Sequence, residues 1–155
     1  MGTKRVGLAR VEALMENLKR ELSMGAGSIL SGLKGCQVIS TARTATDDGT
    51  GTGTIADGTS FVTVNADADS DHILVLPTPT PGTIVHIVEN GTTGYELRTN
   101  DPANVGINAG TAANAESAIA GATTLVRCVC VSSTNWVCTQ FDADGDESKV
   151  TPASA

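Results

Sequence analysis

Two runs of alternating aspartates carry the densest candidate chemistry in the chain: Asp67, Asp69 and Asp71, then Asp142, Asp144 and Asp146. An acidic residue at every second position is how a calcium loop begins, but such a loop also needs glycine at its sixth position and glutamate at its twelfth. The first run offers His72 and Thr78 there, and the second offers Glu147 and Ala153. Neither completes the motif, so both are expected to be acidic turns at strand ends. The stretch from Thr46 to Thr54, TDDGTGTGT, invites comparison with phosphate-cradling loops. A P-loop requires a lysine after its last glycine, and this stretch has none. The dinucleotide fingerprint fails too, because Thr54 or Ala56 stands where its third glycine belongs. A mobile surface hairpin or loop is the expectation.

His72 and His86 lie in or beside apolar runs and read as packed or edge residues, not as acid–base groups. The cysteines are Cys36, Cys128, Cys130 and Cys138. Cys128 and Cys130 sit two apart in a strand-like run and share a face. A hairpin with loop Ser133-Thr134 would set Cys138 opposite Val129, giving neither of them a direct partner. No histidine or second cysteine pair completes a zinc set. Reduced, buried thiols acting as small apolar side chains are expected. There is no Gly-x-Ser-x-Gly elbow, and the carboxylates cluster in turns with no context that marks a glycosidase pair. The expectation is a non-enzymatic protein with no catalytic residue, metal or cofactor.

Residues 1–22 are predicted to form a helix. Leu8, Val11, Met15, Leu18 and Leu22 recur at spacings of three and four, which lays one narrow apolar seam along it. Thr3 can cap its start, and the run Ser23 to Ser28 stops it. Such a helix is roughly 30 Å long and marginal alone in water, so the seam must be buried. Packing on the chain's own body and self-association are both open; self-association is favoured. Residues 23–35 read as a glycine-rich connector.

Residues 36–141 read as a β domain. Short runs such as Ser60 to Asn65, His72 to Leu76, Thr83 to Val88, Tyr95 to Thr99, Thr124 to Val131 and Trp136 to Phe141 are separated by turn signals. Ala109 to Ala122 is expected as a loop with a helical turn near Glu116 to Ile119, and 142–155 as a polar tail. The fold class expected is mainly β, an antiparallel sandwich or barrel with one N-terminal amphipathic helix. The net charge is −7, yet residues 1–22 carry five basic and three acidic groups, which leaves −9 on the rest. An acidic body argues against nucleic acid as a partner. No apolar run has the length of a secretory signal or a membrane span. Aromatic residues make up only 3%, so a deep stacking site is not expected.

With those residues in view, the chain resembles small virion structural proteins of tailed phages of marine cyanobacteria. The resemblance rests on the opening MGTKRVGLARVEALMENLKREL, on LPTPTPGTIVHIVENGTTGYELRTNDPANVGIN, and on ESAIAGATTLVRCVCVSSTNWVC. It implies a capsid decoration, or cement, protein: a homotrimer assembled in the host cytoplasm and set on the capsid surface against the major capsid protein. It transfers no catalytic residues. The alternative is a tail or fibre component that adsorbs to host glycans, for which Tyr95 and Trp136 would have to supply an exposed aromatic platform.

Overall fold

In the strand Phe61–Asn65, Val62 and Val64 are buried while Phe61 and Thr63 are half-exposed. This period-two alternation, one face to the core and one outward, builds most of the structure. The structure is a computed structural model and describes residues 10–13, 39–65, 69–91, 93–108, 116–121 and 125–152. The chain divides into two units, Met1–Cys36 and Gln37–Ala155. In the first, residues 10–13 are α-helical and exposed, Val11 among them. Leu8, Met15, Leu18 and Leu22 lie outside the described residues, as does the connector.

The second unit is mainly β. Its strands are β1 (Arg43–Thr44), β2 (Phe61–Asn65), β3 (Ile73–Val75), β4 (Ile84–Asn90), β5 (Gly94–Arg98), β6 (Gly106–Ile107), β7 (Glu116–Ala120), β8 (Leu125–Ser132), β9 (Asn135–Phe141), β10 (Glu147–Lys149) and β11 (Thr151–Pro152). They form two sheets. The larger runs β1-β2-β4-β8-β9-β10, with β6 also on β9, and the smaller runs β11-β7-β5-β3. Val62, Val64, Val85, Ile87, Val126 and Trp136 from the larger sheet share one core cluster with Leu74, Tyr95, Leu97 and Ile119 from the smaller.

The expectation of an antiparallel sheet is corrected. β1 pairs with β2, β2 with β4, β3 with β5 and β6 with β9, all in parallel. From β2 to β5 the chain alternates between the two sheets, so each crossover that parallel pairing demands is itself a strand of the opposite sheet. The result is a solenoid-like winding. Ile39 stacks on Phe61 and Phe61 on His86 along one side, while Thr54 stacks on Val75 and Val75 on Arg98 along the other. From β7 onward the pairing turns antiparallel: β7 closes on β5 and the β8–β9 hairpin closes on β4.

Two further expectations change. The segment read as a loop with a helical turn supplies β7, whose Ser117 and Ile119 are buried, because alternation there has the period of a strand. The segment read as a polar tail supplies β10 and β11, and Val150 between them is fully buried in the core. One apolar residue anchors a stretch whose average composition looks solvated.

The Thr/Gly stretch is a built turn. Asp48 Oδ1 accepts hydrogen bonds from the Thr50 amide at 3.0 Å and the Thr50 hydroxyl at 2.8 Å. Arg98 reaches across from β5 and donates Nη2 to the Asp48 carbonyl. Gly49 is buried with φ +76°, and a Cβ there would lie 2.6 Å from Val75 Cγ2. A Cβ on Gly53 would lie 2.8 Å from the Ile73 carbonyl. These glycines let the turn seat directly on β3.

Candidate functional site

The outward residues of the larger sheet fall into three cross-strand rows fixed by register. Ile84, Val129 and Val137 stand opposite one another on β4, β8 and β9. The next row is Phe61, His86, Arg127, Thr139 and Lys149, and the one after is Thr63, Val88, Leu125, Phe141 and Glu147. Ile84, Val131 and Val137 are 37%, 51% and 40% exposed, high for side chains of their kind. A shallow groove of about 290 Å³ runs between Arg127, Val129, Val131, Val137, Thr139 and Glu147. This face is therefore apolar in two rows, with a cationic stripe between them. On a chain of net charge −7, Arg127 and Lys149 there are a local reversal of sign.

A β-bulge adds to the exposure. The ladder from β8 to β9 pairs Ser132 with Asn135 but Cys130 with Trp136, so Val131 has no opposite number and is pushed outward. Sequence spacing misses this displaced residue, because it assumes a regular two-residue hairpin. The same bulge shifts the whole register by one on β8. Cys138 faces Cys128, not Val129, and both thiols point into the core.

A second groove of about 710 Å³ lies on the smaller sheet. Its lining of Ser70, Asp71, Thr93, Glu96 and Thr151 over Ala118 and Ala120 is polar and small-sided. It offers hydroxyls and carboxylates.

The aspartate runs serve the backbone. Asp142 Oδ1 accepts from the amides of Asp144 at 3.0 Å and Asp146 at 2.9 Å, and Asp69 Oδ1 accepts from Asp71 at 3.0 Å. Asp67 lies outside the described residues. Among the described residues, no three His, Cys, Asp or Glu side chains converge as metal ligands. His72 is half-buried just before β3, and His86 sits half-exposed on the outer face. Tyr95 and Trp136 are 1% and 0% exposed. The aromatic platform expected of a glycan-binding alternative is corrected on that ground, since both rings are core residues and neither can stack on a sugar.

Burial raises the pKa of the Glu89 carboxyl above the ordinary range, against the opposing pull of the Gly94 amide that donates to it at 3.0 Å. Asp48 moves the other way, held low first by the Thr50 amide and then by the Thr50 hydroxyl. Burial, and then the neighbouring Cys128, push the Tyr95 hydroxyl well above its usual value. None of the three lines either groove.

No family model, no curated protein and no solved structure matches the chain.

Proposed function

We propose that the chain is a non-enzymatic phage virion protein, a capsid decoration protein that stabilises the head shell. In this reading the two sheets pack as a sandwich whose outer face grips the major capsid protein. The helix seam of Leu8, Val11, Met15, Leu18 and Leu22 joins copies into a homotrimer. The observation that carries it is the outer face of the larger sheet, where Ile84, Val131 and Val137 stand exposed beside Arg127. Exposed apolar side chains gathered in one patch mark a surface that meets another protein. The central Arg127 and Lys149 would favour acidic groups on the partner. Each contact gains about 25 cal/mol per Å² of apolar area removed from water, and the gain is repeated at every copy on a shell.

The test is co-sedimentation of the purified full chain with expanded heads that lack it, taken from the virus that encodes it. Wild type is expected to saturate the heads and raise the temperature at which they come apart. Val131→Asp is expected to bind poorly while its own stability falls by about 1 kcal/mol or less. Failure of the wild-type chain to sediment with the heads would overturn the reading.

A further inference from the structure

The bulge that shifts the β8–β9 register sets two thiols against each other in the core. Cys128 and Cys138 are directly opposite, both fully buried and both free. The kind of pairing follows from the backbone bonds around them. On β9 the Cys138 amide donates to Asn108 Oδ1 at 2.8 Å, and its carbonyl accepts from Asn108 Nδ2 at 3.0 Å. Both polar groups therefore point away from β8. On β8 the Cys130 amide donates to the Thr83 carbonyl at 2.9 Å and its carbonyl accepts from Gly82, so it faces β4. Cys128, two residues earlier on the same strand, faces β4 by parity. The two cysteines thus form a non-hydrogen-bonded cross-strand pair.

In such a pair the Cα atoms approach to about 4.5 Å and the side chains lie closest. That separation falls within the range of about 4.4–6.8 Å that a disulfide spans. The Cys138 sulfur lies close enough to Cys128 to add to the rise in its pKa that burial causes. The buried Tyr95 hydroxyl, which has no hydrogen-bond partner among the described residues, sits near enough to feel both sulfurs. Cys130 is different: its thiol donates to the Ser132 carbonyl at 3.1 Å and stands opposite Trp136.

We propose that Cys128 and Cys138 are a redox pair that closes into a cross-strand disulfide when the chain meets a small disulfide oxidant such as oxidised glutathione. One thiolate attacks the oxidant's S–S bond, forms a mixed disulfide and releases one glutathione. The second thiolate attacks the protein sulfur of that mixed disulfide, closes the bridge and releases the other glutathione. Two thiol protons leave with the two glutathione thiols, so two electrons pass from protein to oxidant. Burial pushes the Cys128 thiol well above its usual pKa, which keeps the pair inert while the hairpin is closed. Exchange accordingly runs through an opened hairpin, and the bridge, once formed, is shielded from reductant. The bond staples β8 to β9 across the middle of the larger sheet. The inference does not depend on the capsid reading.

The test refolds the full chain from urea in a series of reduced and oxidised glutathione mixtures, alkylates the remaining thiols, and maps them by mass spectrometry. As the mixture becomes oxidising, Cys128 and Cys138 should escape alkylation together, with the loss of two hydrogens. Cys130 should stay alkylated. The melting midpoint should rise by roughly 5 °C or more on oxidation, equally in Cys130→Ala and not at all in Cys128→Ala. Cys128 and Cys138 both remaining alkylated across the series, or a bridge that recruits Cys130 instead, would overturn the proposal. If Cys128→Ala fails to fold, alkylation mapping in Cys130→Ala still decides it.

Discussion

Asn108 does more at the level of a single side chain than its exposure implies. It sits in left-handed backbone at φ 59°. Its carboxamide bonds both backbone groups of Cys138, and it donates again to the Val150 carbonyl at 3.1 Å. It thereby extends β6 by one rung of side chain and ties the β10–β11 junction to the core. Asn108→Ala should cost about 2–4 kcal/mol in urea unfolding, because it strands polar groups and keeps the strained φ. Asn108→Gly should cost less, by roughly 1 kcal/mol, since glycine accepts that φ. Glu89 gives a pH signature. Its pKa is raised in the fold, so its stabilising contribution is present below the ordinary carboxylate range and is lost as pH rises through the raised value. Glu89→Gln keeps an acceptor for the Gly94 amide. It should therefore raise stability at neutral pH by less than about 1 kcal/mol, since the group is partly solvated, and change nothing in acid. Asp48 acts with the opposite sign. Its lowered pKa gives a contribution present above the ordinary range and lost as pH falls through the lowered value. A melting series across acid pH in Glu89→Gln and Asp48→Asn separates the two.

Among the elements, the Thr/Gly turn and the β8–β9 hairpin show what packing adds to local preference. Gly49→Ala should cost about 1–3 kcal/mol, from its positive φ and the contact at Val75. Gly51→Ala also has positive φ but open space around it, so it should lose only the smaller backbone share, and denaturant midpoints of the two variants isolate the contact. Neither seat is legible in the sequence, where TDDGTGTGT looks like a solvated loop; the arm that holds it, Arg98, lies on β5. Strand positions, by contrast, were legible. Val62 and Val64, Val85 and Ile87, and Cys128 and Cys130 alternate as half-buried strands must. Strand direction was not legible, because one-sided burial gives the same alternation in parallel and antiparallel pairs. The register of Cys138 escaped for a related reason. A bulge at Val131 leaves no mark in residue type, yet it moves each partner of β9 by one position on β8. The proposed docking face was missed in the same way, since Ile84 and Val129 meet Val137 only through that register.

For the molecule as a whole, the solenoid-like winding explains why no sequence repeat accompanies a repeated path. Each coil must only place an apolar residue inward at matching rungs, and Val62 beside Ile87 or Leu74 beside Leu97 satisfies that without similar sequence. A winding of this kind is stabilised by neighbour upon neighbour, and the later antiparallel strands close one end of it. The proposed role adds a second requirement, that copies associate. The seam predicted from Leu8, Val11, Met15, Leu18 and Leu22 would supply the apolar edge for this, and removing one seam leucine, as in Leu18→Asp, should separate the copies while the β unit keeps its melting midpoint. The most direct measurement is the mass of the full chain in solution by light scattering at micromolar concentration. The account predicts about three times the 15.7 kDa of one chain, falling to a single chain in Leu18→Asp. A wild-type chain that runs as a 15.7 kDa monomer would contradict it.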